Sequence, residues 1–339
     1  MSGRLKLRRG IVASVDPLEV EIAGERRPAW ADEVLLGEMH EGDEVVLNVA
    51  ARDLGLGSGG FDVVHVNLGR GLESGVEGDS HVMKLNYTSL QYPLEPVERQ
   101  AVRVMADMQP KVAPVLVLPL HGHLAPATWA AARARPELRV GYIQGGGGAL
   151  PGSLSRDVRQ LRERGLLAGH VTASPAYGGE GEALSSVGAL DATVNELGWD
   201  AVIVGPGPGI IGSGTAYGHG GMAALDSAHA ALSLGLPTLV CPRLSSSDPR
   251  ARHRGLSHHT RTVLKLLLAP VTVPIPAGEP EVAAALEPFD HQTEQLPADL
   301  DGYAATDLPA TTMGRSLHDD PLFFKAALAS GTFLGRVAS

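Results

Sequence analysis

From about Val112 onward, the chain alternates short apolar runs with helix-like stretches rich in small residues, and this alternation constrains the fold more than any other feature. The apolar runs are VAPVLVLPL, LRVGYIQ, AGHVTAS, DAVIVGP, PTLVCPRL and VTVPIP. Strands that are apolar along their whole length are typical of a parallel sheet covered by helices on both faces. Six such strands with right-handed crossovers predict an open, mostly parallel, Rossmann-like α/β sheet.

The residues before this region follow a different pattern. Short alternating or β-branched runs, such as GDEVVLNVAA and FDVVHVNLG, are separated by glycine-rich breaks. Evenly spaced short strands with turn signals predict a small β-barrel-like domain. We therefore expect a barrel-like domain at 1–95, an α/β domain at 96–276 and a C-terminal extension at 277–339.

The extension should end in a closing helix within GRSLHDDPLFFKAALASG. Asp319 or Asp320 is placed to cap it, and Pro321 suits its first turn. Gly331 is predicted to stop the helix, because glycine is the usual residue just after a helix end.

Composition excludes several functional classes. The net charge of −10 argues against general binding to nucleic acids or anionic membranes, and an aromatic content of 4% argues against base-stacking surfaces. Cys241 is the single cysteine, so no internal disulfide is possible. The N-terminus lacks a secretory signal, and no run of about 18 apolar residues occurs. These features predict a cytoplasmic protein with no membrane partner.

The loops that follow the predicted strands are rich in glycine, hydroxyl, histidine and arginine residues, whereas the loops that precede them are ordinary. Ligands of open parallel sheets bind beyond the carboxyl ends of the strands, so this asymmetry predicts a site at that edge. The candidate ligand-binding residues in these loops are His121, His123, Gly145, Gly146, Gly207, Gly209, Gly212, Gly214 and Thr215.

The stretch DPRARHRGLSHHTRT, residues 248–262, concentrates four arginines and three histidines in an acidic chain. It runs into a predicted helix start, where free N–H groups and arginines together favour an anion. Arg250, Arg254 and Ser257 are therefore candidate anion ligands. His258, His259 and His219 are candidates for general acid–base catalysis. The alternative is a solvated basic loop, or one that is salt-bridged to the acidic barrel.

Two familiar site types find little support. GPGIIG, at 207–212, matches G-x-G-x-x-G, but a chain this rich in glycine gives about 0.6 such matches by chance. Arg243 after the next strand would suit a 2′-phosphate better than a free ribose, and a simple glycine nest for phosphate or carboxylate is the stronger prediction. A metal site could form from the histidines of these loops, but their spacing matches no recognised pattern, so no metal ligand is assigned and the cofactor stays unknown.

Five longer motifs occur together: LNVAARDLGLGSGGFDVVHVNLGRG, HVMKLNYTSLQ, GPGPGIIGSGTAYGHGG, SSSDPRARHRGLSHHT and TTMGRSLHDDPLFFKAA. With them the chain resembles a bacterial family catalogued as domain of unknown function 3866, from about Gly10 to Gly331. The resemblance implies a common fold and a shared site, and it implies no particular activity.

These observations predict a protein that binds a small anionic ligand, phosphorylated or nucleotide-like, in a cleft between the two domains. Whether it is an enzyme stays open, and the alternatives are a non-catalytic ligand sensor or assembly protein, or an RNA-associated protein. The alanine-rich helix GHGGMAALDSAHAALSLG should pack closely on the sheet or on a second subunit. The second arrangement would make the protein a homodimer.

Overall fold

The computed structural model describes residues 4–56, 59–72, 80–98 and 111–338. The chain divides into two compact units, Met1–Pro93 and Leu94–Ser339. Among the helices of the described residues, none has both the length and the apolar composition that a bilayer crossing requires.

The first unit contains a closed five-stranded barrel, which confirms the predicted β-domain. Its strands are β1 (Leu7–Val15), β2 (Leu18–Ile22), β3 (Glu25–Trp30), β4 (Glu44–Asn48) and β5 (Asp62–Asn67), in the order β1-β2-β3-β5-β4. Val12, Val20, Val45 and Leu47 alternate with more exposed residues and fill the interior. Short helices α1 (Glu33–Leu36) and α2 (Ala50–Asp53) lie in its connections, and β6 (Val82–Lys84) pairs with β7 (Tyr92–Leu94).

The second unit is built on an eight-stranded sheet whose neighbouring strands all run parallel, which confirms the predicted α/β class. Its strands are β8 (Val115–Val117), β9 (Val140–Gly145), β10 (His170–Ala173), β11 (Gly181–Ala183), β12 (Ala201–Pro206), β13 (Thr238–Val240), β16 (Thr272–Pro276) and β17 (Gln292–Leu296). Their order is β11-β10-β9-β12-β8-β13-β16-β17. Two short ribbons, β14 (Leu244–Ser245) with β15 (Gly255–Leu256) and β18 (Thr311–Thr312) with β19 (Arg315–Ser316), lie in its loops.

The prediction of six strands is wrong, because the sheet has an additional strand at each edge. β11 consists of Gly-Glu-Ala, which has little intrinsic preference for strand. β17 is a polar, mostly exposed edge strand, so it has no apolar pattern to detect. The strands that the sequence predicts are the buried ones.

The helices cover both faces of the sheet. They are α3 (Leu124–Ala134), α4 (Arg156–Glu163), α5 (Ser186–Asn195), α6 (Ala223–Ser233), α7 (His258–Leu266), α8 (Pro280–Leu286), α9 (Leu300–Ala304) and α10 (Pro321–Val337). One hydrophobic core joins α5, α6, α7 and α8 to the sheet, and a second core joins α3, α4, α9 and α10 to its other face.

Helix α10 does not stop at Gly331 but continues to Val337. A Cβ at Gly331 would lie 2.0 Å from the carbonyl oxygen of Ala127 on α3, so this glycine allows two helix backbones to approach closely. The prediction of a helix stop is therefore wrong at this residue, since close packing and not chain termination requires the glycine.

Helix α6 packs on the sheet through its small side chains. Ala224, Ala228 and Ala231 are buried in the first core, whereas Ala223 is only partly buried. This is one of the two arrangements that the sequence predicts. The homodimer stays a prediction, which light scattering in solution would test.

Candidate functional site

The strand order creates a switch point at the carboxyl edge of the sheet. The chain leaves β8 and β9 toward the face covered by α3 and α4, but it leaves β12, which lies between them, toward α6 on the opposite face. Loops that diverge in this way open a crevice in which ligands commonly bind. The loops after β9 and β12 touch here, since the N–H of Ala149 donates to the carbonyl of Pro208 over 2.7 Å.

A cavity of about 410 Å³ lies on the α6 side of this switch point. Its size is in the range of small-molecule sites. Its lining includes Gly145, Gly146 and Gly147 after β9, together with Ser174, Ser186, His219, Asp226 and Ser227. Exposed backbone and hydroxyl groups suit a ligand with several hydrogen-bonding atoms. Two predicted ligand-binding residues, Gly145 and Gly146, thus line the cavity.

Three histidines, which we call the histidine cluster, meet at one side of the cavity: His219, His258 and His259. The rings of His219 and His259 stack with centroids 3.6 Å apart, and the His258 centroid lies 4.4 Å from that of His259. One ring nitrogen of each residue lies within 4.8 Å of the other two. The structure therefore brings together the three residues that the sequence predicts as acid–base candidates.

Two ring nitrogens of the histidine cluster, Nδ1 of His219 and Nε2 of His258, have no hydrogen-bond partner among the described residues. Nε2 of His219 lies 3.1 Å from the carbonyl oxygen of Ala216, which can only accept, so Nε2 carries the proton and Nδ1 carries the lone pair. Burial lowers the pKa of His219 and His258, and lowers the pKa of His259 to about 2. The three imidazoles are therefore neutral at pH 7.

Five arginines, which we call the arginine cluster, gather beside the histidine cluster: Arg243, Arg250, Arg252, Arg254 and Arg315. The buried carboxylate of Asp248 accepts from Nε and Nη2 of Arg250 at 2.9 and 2.8 Å. Arg243 and Arg315 approach the same carboxylate at 3.5 and 3.6 Å. Arg254 donates to the backbone carbonyl of Asp248 over 2.9 Å. Much of the charge of Arg250 is thus used within the protein.

Arg243 connects the two clusters. Its Nη1 donates to Nδ1 of His259 over 3.0 Å, and the residue is only 2% exposed. Burial and then the charge of Arg250 lower its pKa to about 10, and the charge of exposed Arg252 acts in the same direction. A guanidinium held in this way is a rigid donor that keeps the histidine cluster electropositive.

A second buried carboxylate, Asp320, contacts the arginine cluster through Arg315. It accepts from Nε of Arg315 at 3.1 Å and from Oγ of Ser245 at 2.7 Å. Asp320 precedes α10, but its side chain makes no cap hydrogen bond to that helix. The arginine cluster therefore sets five guanidinium groups against two carboxylates.

A separate group, which we call the serine–histidine network, lies at the ends of β8, β9 and β12. Nε2 of His121 lies 2.8 Å from Oγ of Ser155, and Nδ1 lies 3.1 Å from the carbonyl oxygen of Pro206. Tyr142 donates to the same carbonyl at 2.8 Å, and Ser155 also accepts from the N–H of Val158 at the start of α4. Both ring nitrogens of His121 and the serine oxygen therefore have partners.

The remaining predicted residues are spread around these groups. His123 is fully buried and stacks on Phe323 with centroids 4.2 Å apart, so it lies in the core beneath the edge. Ser257 caps α7 and lies 2.7 Å from Nδ1 of His253. An exposed loop after β12 contains Gly209, Gly212, Gly214 and Thr215, while Gly207 is buried at the start of this loop.

A family model described as "Protein of unknown function (DUF3866)" matches residues 29–331. The chain belongs to this family. The resemblance inferred from the five motifs is thus confirmed, and the description of DUF3866 names no ligand or activity. Neither the curated proteins nor the solved structures contained a match to the chain.

Sequence reasoning did not assign a role to Asp248 or Arg315, and it considered Asp320 only as a helix cap, although all three hold the arginine cluster of this DUF3866 protein. Arg315 and Asp320 lie in TTMGRSLHDDPLFFKAA, one of the motifs that carry the family resemblance. That motif is the signal that marks them. The contact between Arg315 and Asp248 depends on how α10 packs beneath the carboxyl edge of the sheet. The spacing of residues along the chain does not reveal that packing.

Proposed function

We propose that this DUF3866 protein binds a small anionic metabolite, with a phosphate or carboxylate group, at the carboxyl edge of the parallel sheet. The observation that most supports this is the charge balance of the arginine cluster. Five arginines meet two carboxylates there, although the whole chain carries a net charge of −10. A local excess of guanidinium groups attracts anions and binds them through charge-assisted hydrogen bonds.

The cavity would hold the uncharged part of such a ligand. His219 lines the cavity, stacks on His259 and thereby connects to Arg243. Asp226 is a carboxylate in the cavity lining, so the anionic group is expected at the arginine end. This arrangement favours an elongated ligand with hydroxyl or amide groups at one end and a negative charge at the other.

Neutral imidazoles accept protons, so a reaction at this site would use His219 or His258 as a general base. A non-catalytic sensor would use the same groups only for binding. Conversion of the bound metabolite would identify an enzyme, and recovery of the metabolite unchanged would identify a sensor.

Binding of inorganic pyrophosphate, measured by isothermal titration calorimetry, tests the anion site. Arg252→Ala and Arg254→Ala should each weaken binding by about 1.5–3 kcal/mol, the range of hydrogen bonds to charged groups. Lysine at either position should restore only part of the loss, because it cannot form a bidentate fork. Arg250→Ala is a less clean test, since it also leaves Asp248 without its closest partner.

Arg139→Ala is the matched control, because Arg139 is exposed and lies just before β9. It is therefore at the amino ends of the strands, away from the proposed site. The Arg139→Ala variant should bind pyrophosphate like the parent protein. Equal affinities for the parent, Arg252→Ala and Arg254→Ala would refute the proposed anion site. The stretch 248–262 would then be a solvated basic loop.

A further inference from the structure

The histidine cluster contains a lone pair that an anionic ligand cannot use. Nδ1 of His219 is buried, has no partner in the described part of the chain and is fixed as an acceptor by the bond from Nε2 to Ala216. Phosphate and carboxylate oxygens are acceptors too, so they leave this nitrogen unsatisfied. A hydrogen-bond donor or a metal ion would satisfy this lone pair, and Nε2 of His258 is available to the same metal ion.

We propose that the three residues of the histidine cluster, His219, His258 and His259, bind a transition-metal ion of the zinc, cobalt or nickel class. Three neutral imidazoles without a carboxylate suit these borderline ions and do not suit Mg²⁺ or Ca²⁺, which prefer oxygen ligands. The positive charge of Arg243 opposes a cation here, so this site depends on the three imidazole lone pairs and not on the charge of the arginine cluster. A bound metal would occupy the lone pairs of His219 and His258, so it is an alternative to their use as general bases.

The surroundings of His219 resemble those of a metal-binding histidine. Such residues almost always donate the second ring N–H to a carboxylate or backbone carbonyl, which orients the ring. Ala216 provides that carbonyl at 3.1 Å. Its position in the same loop as His219 means that the ligand and its orienting group are held together.

Gly221 keeps space open beside the ring nitrogens. A Cβ at this residue would lie 3.0 Å from Nδ1 of His219 and 3.2 Å from Nδ1 of His259. The backbone here does not have a positive φ, so the turn itself does not require glycine. The space beside the two nitrogens is a sufficient reason for the missing side chain.

Metal binding requires a small rearrangement of the cluster. Ligand nitrogens of a tetrahedral zinc site lie about 3.4 Å apart, which follows from Zn–N bonds of about 2.0–2.1 Å. The three nitrogens here lie within 4.8 Å of one another. Nδ1 of His259 must release Arg243 before it can bind a metal, whereas the lone pair of His219 is already free. Three protein ligands leave a fourth position for water or another ligand.

The test is a titration of chelator-treated full-length protein with Co²⁺ in phosphate-free buffer, followed by visible absorption. The parent should bind one Co²⁺ per chain and show the visible absorption bands of four- or five-coordinate Co²⁺ with nitrogen ligands. Zn²⁺ should displace the Co²⁺ and remove these bands. His219→Ala and His258→Ala should each weaken Co²⁺ binding at least tenfold. Gly221→Ala keeps all three ligands but fills the space beside them, so it should weaken binding as well.

His40→Ala is the control, because His40 is exposed in the barrel unit and should not affect the spectrum. Arg252→Ala should bind Co²⁺ like the parent, which separates failure of this site from failure of the anion site. Thermal melts without metal establish that each variant is folded. Absence of a Co²⁺ spectrum in the parent would overturn the proposal, as would unchanged binding in both His219→Ala and His258→Ala.

Discussion

The serine–histidine network and the histidine cluster lie at the same edge of the same sheet, yet they differ in how their polar atoms are satisfied. In the network, both nitrogens of His121 have partners at 2.8 and 3.1 Å. In the cluster, Nδ1 of His219 and Nε2 of His258 have none among the described residues. Buried polar groups are nearly always hydrogen-bonded, so an exception needs an explanation. Between these two groups, the unpartnered nitrogens and not the position at the edge separate the candidate site from the structural group.

The two groups also differ in their charged neighbours. Nε2 of His121 lies 3.9 Å from a carboxylate oxygen of Asp157, and burial lowers the pKa of this histidine while raising that of Asp157. The histidine cluster instead faces Arg243. We therefore interpret the serine–histidine network as a group that stabilises the fold. The positive charge beside the histidine cluster would instead attract an anionic ligand.

The largest effect on stability should come from removing the carboxylate of Asp248, which holds the arginine cluster. Asp248→Asn leaves the buried guanidinium of Arg243 without its carboxylate, and breaking a buried ion pair in this way costs about 3–5 kcal/mol. Urea denaturation measures the loss. Asp226→Asn is the control, because Asp226 is exposed and should change stability by less than about 0.5 kcal/mol. A small loss in Asp248→Asn would mean that the arginines are held by other contacts.

His123 combines features of both groups, since both of its nitrogens are unpartnered in the described structure but the residue is enclosed in the core. Burial, and then the charge of Arg243, lower its pKa from 6.5 to about 3. The unfolded chain therefore binds a proton that the folded chain does not, and stability falls as the pH drops below 6.5. Between pH 7 and pH 5 this single residue should cost about 2 kcal/mol.

His123→Phe should remove that pH dependence while keeping the stacking on Phe323. The measurement is the free energy of unfolding at pH 7 and at pH 5, for the parent and the variant. If both proteins lose the same stability, the pKa of His123 is the same in the folded and unfolded chain, and burial does not lower it.

A direct comparison uses one substitution in each group. Ser155→Ala removes the cap of α4 and leaves a nitrogen of His121 without a partner, so it should cost about 1–3 kcal/mol. His258→Ala removes a half-buried ring whose Nε2 has no partner in the described chain, and it should cost less. Thermal denaturation of the two variants gives the ranking. The reverse ranking would show that the histidine cluster is a structural element.

The buried strands and the carboxyl edge could be predicted from the sequence because both leave local signals. Apolar runs predict β8, β9 and β12, and a parallel sheet necessarily places the loops after them at one edge. The edge strands β11 and β17 leave no such signal, since neither is a continuous apolar run. Gly331 was assigned the wrong role because a glycine that ends a helix and a glycine that packs against a helix look alike in a sequence.

The site was predictable only in part for a related reason. His258 and His259 are adjacent in the chain, so their proximity is evident, and His219 follows a central strand of the sheet. The contacts of Asp248 with Arg315, and of Asp320 with Ser245, join residues that are far apart in the chain. They depend on how α10 returns to the sheet edge, and no local pattern encodes that return.

The smallest predicted effect concerns the cavity wall beside the histidine cluster. A Cβ at Gly145 would meet no atom within 4 Å, and the residue does not have a positive φ. Gly145→Ala should therefore leave stability unchanged or raise it by about 0.4–1 kcal/mol, because alanine restricts the unfolded chain. Gly147→Ala is the contrasting variant, since Gly147 has φ +98° and its Cβ would lie 2.4 Å from the carbonyl oxygen of Gly220. It should be clearly destabilising, and chemical denaturation measures both. A loss in Gly145→Ala as large as that in Gly147→Ala would mean that the cavity wall is tightly packed, and the cavity could then not receive a ligand.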